Sequence, residues 1–333
     1  MSPDALDEVA RLLAGADEVA LVCHVAPDGD ALDSMLGLGA ALRGLGKDVV
    51  ASWGSEPFEV PAAYAFLPAL DLLVDPADFP AAPPLLVTLD SGSPDRLGSL
   101  ADRLGSAACT VVVDHHASNT LYGTVNLVDA TAAATTVLVE RLLDRLGAPL
   151  TPDVAVALYT GLVTDTGSFK YSATTPAVHE LAARLLATGI RHDLISRAIY
   201  DTAPFAYLGL LGGVAARAQL EPAAVGGLGL VWSTVTAEAL AGTGLGLADV
   251  EGVIDVVRTT REAEVAVVLK ADPLEGGWKV STRSKGAVDV GEVCTALGGG
   301  GHRFAAGYSS TRTADDVLAE LRSALARAPH LPA

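Results

Sequence analysis

EVALVCHVAPDGDALDSMLGLGAALRGLG, residues 18–46, reads as a strand, a loop and a helix in succession. The run from Glu18 to Cys23 is almost wholly apolar, as in a strand buried on both faces, and the segment from Ala31 onward has the composition and length of a buried helix. Between them the chain crowds His24, Asp28, Asp30 and Asp33 into the mouth of the strand. Carboxylates packed this closely repel one another and resist ionising unless a cation sits among them. A divalent metal is the obvious candidate.

The same alternation continues through the first half. The runs DVVASW (48–53), LLVTLD (85–90) and TVVVD (110–114) read as strands, and TTVLVERLLDRLG (135–147) reads as an amphipathic helix. Strand then helix, repeated, predicts an α/β fold with a parallel sheet covered on both faces. In such sheets ligands gather at the carboxyl ends of the strands. Asp90 closes one strand, and Asp114, His115 and His116 follow another. Asp165, in GLVTDTGSFKYS (161–172), ends the apolar helical segment DVAVALYTGLV. Aspartate is a common turn former, which would account for any one of these. Carboxylates or imidazoles at three strand ends, two histidines adjacent, point instead to one site.

A length of 333 residues suggests two domains. The expected organisation is a metal-binding domain over 1–190, a helical connector over 191–221 and a smaller α/β domain over 222–333. In the last, GLGLVWSTVT, AEVAVVLKA and WKVSTRSK read as strands and 313–326 as a final helix. Half of the residues are hydrophobic and 19% are charged, a core-forming composition. The acidic, helix-like N-terminus lacks the features of a signal peptide, and the longest uncharged run, Pro222 to Ala237, is broken by glycines. A cytoplasmic protein with no membrane partner is expected. Cys23, Cys109 and Cys294 are read as reduced, buried thiols.

A net charge of −18 argues against gripping long nucleic acid, which relies on a broad basic surface. From Arg258 to Arg303, however, seven Lys/Arg face six Asp/Glu, so an anion-binding surface belongs there. The run GGGGHRFAAG lacks the ending of a P-loop, but four successive backbone N–H groups can cradle a phosphate, and Arg283 or Arg303 can fork onto it. Elsewhere His179 and His192 read as surface groups, His330 as part of a tail, and Trp53 and Trp232 as core, while Phe169 and Tyr171, which would sit at the rim, read equally as core residues or stacking platforms. DSG at 90–92 and DTG at 165–167 recur in aspartic proteases, but those are all-β, which the strand–helix alternation excludes.

Histidine with carboxylates suits Mn²⁺, Mg²⁺ or Zn²⁺, and the oxygen-rich mixture leans toward manganese. Two metals about 3.5–4 Å apart need at least one shared carboxylate and several terminal ligands. His24, Asp28, Asp30, Asp90, His115 and Asp165 are six candidates, which leaves His116 for another role.

The ordered motifs HVAPDGDA, LDSG, DHH, TDTG and GGGGHRFAAG resemble the DHH phosphoesterase superfamily, in the branch with a DHH-associated C-terminal domain, over nearly the whole chain. Within it the chain is similar to the stand-alone oligoribonuclease type, which cleaves nanoRNA and acts on 3′-phosphoadenosine 5′-phosphate or on linear and cyclic dinucleotides. The resemblance implies that His24, Asp28 and Asp90 hold one Mn²⁺ and that Asp30, Asp90, His115 and Asp165 hold a second, with Asp90 bridging. Mg²⁺ or Co²⁺ would be substitutes. It places His116 beside the substrate phosphate, which makes His116 and Asp90 the catalytic pair. It assigns nucleotide contacts to Arg283, Ser284, Gly299, Gly300, Gly301, His302 and Arg303. Asp33 stands where the family usually has glycine. Water activated by two metals would attack phosphorus in line, with His116 or a metal stabilising the leaving ribose oxygen. Short nucleotides are the expected partners, and the apolar connector helices could pair two subunits. The alternatives are a RecJ-like single-strand exonuclease, a pyrophosphatase or a non-catalytic nucleotide-binding regulator.

Overall fold

The computed structural model describes residues 3–56, 58–273 and 276–331, and the chain divides after Thr202 into two compact units. The first unit runs α1 (Pro3–Gly15), β1 (Glu18–Cys23), α2 (Gly29–Gly44), β2 (Asp48–Ser52), β3 (Leu86–Leu89), α3 (Arg103–Ser106), β4 (Thr110–Asp114), β5 (Val125–Val128), α4 (Thr135–Leu146), α5 (Pro152–Asp165), α6 (Pro176–Leu186) and α7 (His192–Tyr200). Its strands are all parallel, in the order β2-β1-β3-β4-β5. That order reverses between β1 and β3, so the crevice of a doubly wound sheet opens where those two strands end. His24 and Asp90 are the residues that follow them.

β1 is apolar throughout because it is central and covered twice. Val19, Leu21 and Cys23 join a core shared with Leu6 of α1, Leu32 of α2, Leu138 of α4 and Leu158 of α5. Ala20 and Val22 point the other way, onto Phe79, Leu97 and Leu100. Both faces are covered, as expected, but this second layer is built largely of irregular and 3₁₀ segments, so helices dominate one face. α2 is buried at nearly every position from Gly29 to Leu42, which is why it shows no polar face. α5 starts with a Thr151 side chain accepting the Val154 N–H and with Pro152 at its first position, both sound helix starts.

The second unit runs α8 (Phe205–Arg217), β6 (Gln219–Glu221), β7 (Leu230–Val235), α9 (Ala237–Ala241), α10 (Val253–Val257), β8 (Val265–Ala271), β9 (Trp278–Ser284), α11 (Val290–Ala296), β10 (Gly300–His302), β11 (Ala305–Ser310) and α12 (Ala314–Arg327). Its sheet has the order β10-β11-β9-β8-β7-β6, with β7 and β8 parallel and the other pairs antiparallel. Val293 of α11 and Leu321 of α12 pack on one face, Leu210 of α8 and Ile254 of α10 on the other.

The stretch 191–221, read from sequence as one connector, is divided: α7 belongs to the first unit and α8 to the second, and its last residues form β6. His330 bridges to Val288 and the Leu331 N–H reaches the Ala287 carbonyl, so this end of the chain is tied down. Cys23 and Cys294 are buried, whereas Cys109, just before β4, is only half-buried. Trp53 is fully buried and Trp232 partly so. Among the described residues no helix is long and apolar enough to cross a membrane.

Candidate metal centre

Two acidic clusters meet on one side chain at the β1/β3 crevice. The first is His24, Asp28 and Asp90, with His24 Nε2 lying 3.7 Å from Asp28 Oδ1 and 3.6 Å from Asp90 Oδ2. The second is Asp30, His115 and Asp165, with His115 Nε2 lying 3.7 Å from Asp30 Oδ2 and 3.4 Å from Asp165 Oδ2. Asp90 joins them, for its other oxygen, Oδ1, is 3.6 Å from His115 Nε2.

Backbone geometry sets these side chains. Asp90 has φ +54, a left-handed conformation that Asp tolerates better than most residues, and strain of this kind is characteristic of functional sites. Asp28 caps α2 by accepting the Ala31 N–H at 3.1 Å, and Asp30 follows in the first turn. Gly29 between them is required by packing, because a Cβ there would sit 2.3 Å from Thr164 Oγ1 of α5. The start of α4 grips the second cluster: the Thr135 and Thr136 N–H groups donate to the two oxygens of Asp30, and Thr135 Oγ1 donates to Asp90 Oδ1 at 2.8 Å.

Each histidine ring is anchored through Nδ1. His24 Nδ1 lies 2.8 Å from the Val25 carbonyl and His115 Nδ1 3.1 Å from the Ala132 carbonyl, which sets Nε2 as the atom turned to the carboxylates. His116 is held differently, with Nδ1 2.7 Å from Asp114 Oδ1. Asp114 is fully buried and also accepts the His115 N–H at 2.8 Å and the Asn119 side-chain amide. Asp114 and Asn119 thus orient His116, a role that motif reading missed. Asn119 lies in a turn with nothing in its spacing to single it out.

The field of the cluster shows in its ionisation. Burial, reinforced by Asp90 and Asp165, raises Asp30 well above the usual carboxylate range, and burial pushes Asp165 up to about 7 despite His115. Burial works against charge on the imidazoles, yet the carboxylates outweigh it: Asp165, Asp90 and Asp30 raise His115 to about 9, and Asp114 with Asp90 raises His116 to about 10. The pocket therefore favours added positive charge. The donor set fits a divalent cation: two imidazole nitrogens, four carboxylates and no thiolate, with Cys23 Sγ kept protonated by burial. The 3.4–3.7 Å gaps exceed a hydrogen bond and suit two ligands about 2.0–2.2 Å from a shared ion.

Asp33 lies outside both clusters. It is 0% exposed, neither oxygen has a hydrogen-bond partner among the described residues, and burial raises its pKa. Phe169 is partly buried, stacking on His179 at 5.1 Å and packing near Tyr159, while the Tyr171 ring covers Gly167.

In the second unit the expected nucleotide contacts separate. β9 alternates, so Lys279, Ser281 and Arg283 share one face and Thr282 and Ser284 the other. Ser284, expected at the substrate, is buried there, donating to Glu264 Oε1 at 2.8 Å and accepting the Gly286 and Val288 N–H groups. Its hydroxyl is spent on a turn. The glycine run also differs from the expected open cradle. Gly298 and Gly299 N–H groups are bonded to the Thr295 and Cys294 carbonyls, and Gly300, Gly301 and His302 form β10 beside β11. Gly299 is needed for close approach, since a Cβ there would meet the Gly307 carbonyl at 2.1 Å. Arg303 sits in the turn after β10, 3.5 Å from Asp289. Arg283 donates to its own neighbour's carbonyl, Thr282 O, at 3.0 Å, with Nε buried and without a hydrogen-bond partner among the described residues.

Comparison with known proteins adds to this geometry. Residues 18–162 match the DHH family, N-terminal domain, and residues 233–328 match the DHHA1 domain. The chain is 34% identical over 330 residues to the bifunctional oligoribonuclease and PAP phosphatase NrnA of Thermus thermophilus, covering 97% of this chain and 94% of that one. It is 28% identical to the Bacillus subtilis protein of the same name, covering 95% and 97%. Among solved structures, an exopolyphosphatase-related protein from Bacteroides fragilis superposes with a TM-score of 0.85 at 24% identity, over 97% of this chain and 96% of that one.

Proposed function

We propose, from the premise that this chain belongs to the DHH family with a C-terminal DHHA1 domain and is a phosphoesterase, that it hydrolyses short oligoribonucleotides and 3′-phosphoadenosine 5′-phosphate. The observation that carries this reading is Asp90, which offers one carboxylate oxygen to each of two histidine–aspartate clusters. Linear and cyclic dinucleotides, including cyclic di-AMP, belong to the same substrate class.

His24, Asp28 and Asp90 would hold one divalent cation, and Asp30, Asp90, His115 and Asp165 a second, with Mn²⁺ the first choice for this donor set. When bound, such ions polarise phosphoryl oxygens and make water nucleophilic near neutral pH. The chain's own residues do the rest. Asp114 accepts from His116 Nδ1 and favours the charged ring, so Nε2 keeps a proton to deliver to the leaving ribose oxygen. Thr135 and Thr136 fix Asp30, and the Ala132 carbonyl fixes the plane of His115. Arg283 is the nucleotide contact best supported in the second unit, with Gly300, Gly301, His302 and Arg303 on the strand and turn near it.

A net charge of −18 argues against a broad basic surface that could neutralise a long strand. The expected products are mononucleotides from RNAs of about two to five residues, with activity falling steeply for longer ones. The test is turnover of di- and pentanucleotides, a 20-mer, cyclic di-AMP and phosphoadenosine phosphate side by side with Mn²⁺. Degradation of the 20-mer at the dinucleotide rate would replace this reading with that of a long-strand exonuclease.

A further inference from the structure

Arg96 stands beside the His24 side of the centre on a fixed piece of backbone. Its carbonyl accepts the N–H of Val25, the residue after His24, at 2.8 Å. Three residues on, the Ser99 N–H donates to the Gly54 carbonyl at 3.0 Å. Leu97 and Leu100 of the same 3₁₀ segment, Pro94–Leu100, are buried against the sheet. The Arg96 side chain itself is exposed.

Several other arginines of this acidic unit are matched to carboxylates: Arg43 to Asp71, Arg141 to Asp129, Arg145 to Asp7, Arg184 to Glu140 and Asp144, and Arg191 to Asp193. Among the described residues the Arg96 guanidinium has no hydrogen bond or ion pair. A cation whose backbone is tied to the residue after His24, and whose side chain is turned to solvent, is placed to meet what arrives there.

What arrives, on the phosphoesterase reading given above, is an anion. A phosphodiester must approach Asp28, Asp90 and Asp165, and its non-bridging oxygens gain charge as the bond to the leaving group breaks. A guanidinium presents parallel donors matched to two such oxygens. We infer that Arg96 binds the non-bridging oxygens of the scissile phosphate from the His24 side, a contact independent of the nucleoside attached to it. Arg283, by contrast, is assigned to the nucleotide.

The experiment compares wild type, Arg96→Ala and Arg96→Lys with Mn²⁺ on bis(p-nitrophenyl) phosphate, a diester without a nucleoside, and on the dinucleotide pApA. Binding of AMP is measured by calorimetry, and bound metal and melting temperature are measured for each variant. Arg96→Ala is expected to lower kcat/KM on both substrates by about 10- to 100-fold, the effect of losing a hydrogen bond to a charged group. AMP affinity should weaken, metal content and melting temperature should match wild type, and Arg96→Lys should recover part of the loss. The inference is overturned if Arg96→Ala stays within about twofold of wild type on both substrates. A loss confined to pApA, or one accompanied by loss of metal, also overturns it. Should wild type hydrolyse neither substrate, the phosphoesterase reading fails, and the AMP comparison alone decides Arg96: equal affinity overturns the contact and weaker affinity supports it.

Discussion

Asp90 Oδ2 lies 3.6 Å from His24 Nε2, and Asp90 Oδ1 lies 3.6 Å from His115 Nε2, so one carboxylate faces two imidazoles that come from different strands. A residue shared in this way serves both clusters at once. Asp90→Ala should therefore reduce turnover to background and release more than one equivalent of metal per chain, measured by elemental analysis after gel filtration. Asp28→Ala, which touches the His24 cluster alone, should leave the second ion in place. Equal metal loss from the two variants would argue against a bridge.

The neighbouring histidines should behave differently. His115 Nε2 faces three carboxylates, whereas His116 is committed through Nδ1 to Asp114. His115→Ala should lower metal occupancy. His116→Ala should retain metal and lower kcat by roughly 10²–10⁴, the usual contribution of a general acid. Asp114→Ala should follow His116 rather than His115, with kcat reduced about 10- to 100-fold, as for other residues that orient a site histidine.

Asp33 gives a prediction about stability and its pH dependence. A buried carboxyl without a partner is neutral in the folded protein, and its pKa is raised above the unfolded value. For an acid with a raised folded pKa, stability is unaffected below the unfolded pKa, near pH 4, and falls as pH rises above it, because only the unfolded chain releases the proton. Asp33→Ala removes the unsatisfied group and adds a better helix former inside α2. It should raise stability by about 1–2 kcal/mol at both pH values through the removed unsatisfied group and the better helix former, and by more near pH 7 than at pH 4, in thermal melts recorded in chelator. A gain that is the same at both pH values would mean that Asp33 is not held protonated.

On β9 adjacent residues point to opposite faces, which separates Arg283 from Ser284. Arg283→Ala should raise KM for dinucleotides more than it lowers kcat, the pattern of binding lost equally in ground and transition states. Ser284→Ala removes the hydrogen bonds to Glu264 and to the turn after β9, so it should lower the melting temperature while leaving KM unchanged. A KM effect for Ser284→Ala as large as that for Arg283→Ala would place the serine at the substrate after all.

The parts of this protein that were legible in its sequence are those where one signal dominates. β1, β3 and β4 are apolar on both sides because both sides are covered, and their ends carry the aspartates and histidines that the fold gathers. β5 was not anticipated because an edge strand with the sequence VNLV is only half buried and has no long apolar run. β10 is not legible as a strand because glycine carries no strand signal, although Gly299 and Gly301 are there to let β10 and β11 approach. The turn of Ser284 away from Arg283 was readable in principle, since neighbours in a strand cannot share a face. The Asp114–Asn119 hydrogen bond was not, for it depends on a turn whose path only the folded chain defines.

Asp30 is held by peptide N–H groups at the start of α4, not by side chains. The side chains at 135 and 136 therefore do not make that grip themselves, although both are fully buried and Thr135 Oγ1 also bonds Asp90. Helix phase matters instead. One residue inserted or deleted inside the first turn of α4, between Thr136 and Leu138, would turn the leading amides by about 100° relative to the packed body of the helix, aiming them away from Asp30 while changing no residue of either cluster. The first turn of α4 is thus a place where a length change, silent in any inventory of ligands, would abolish the centre.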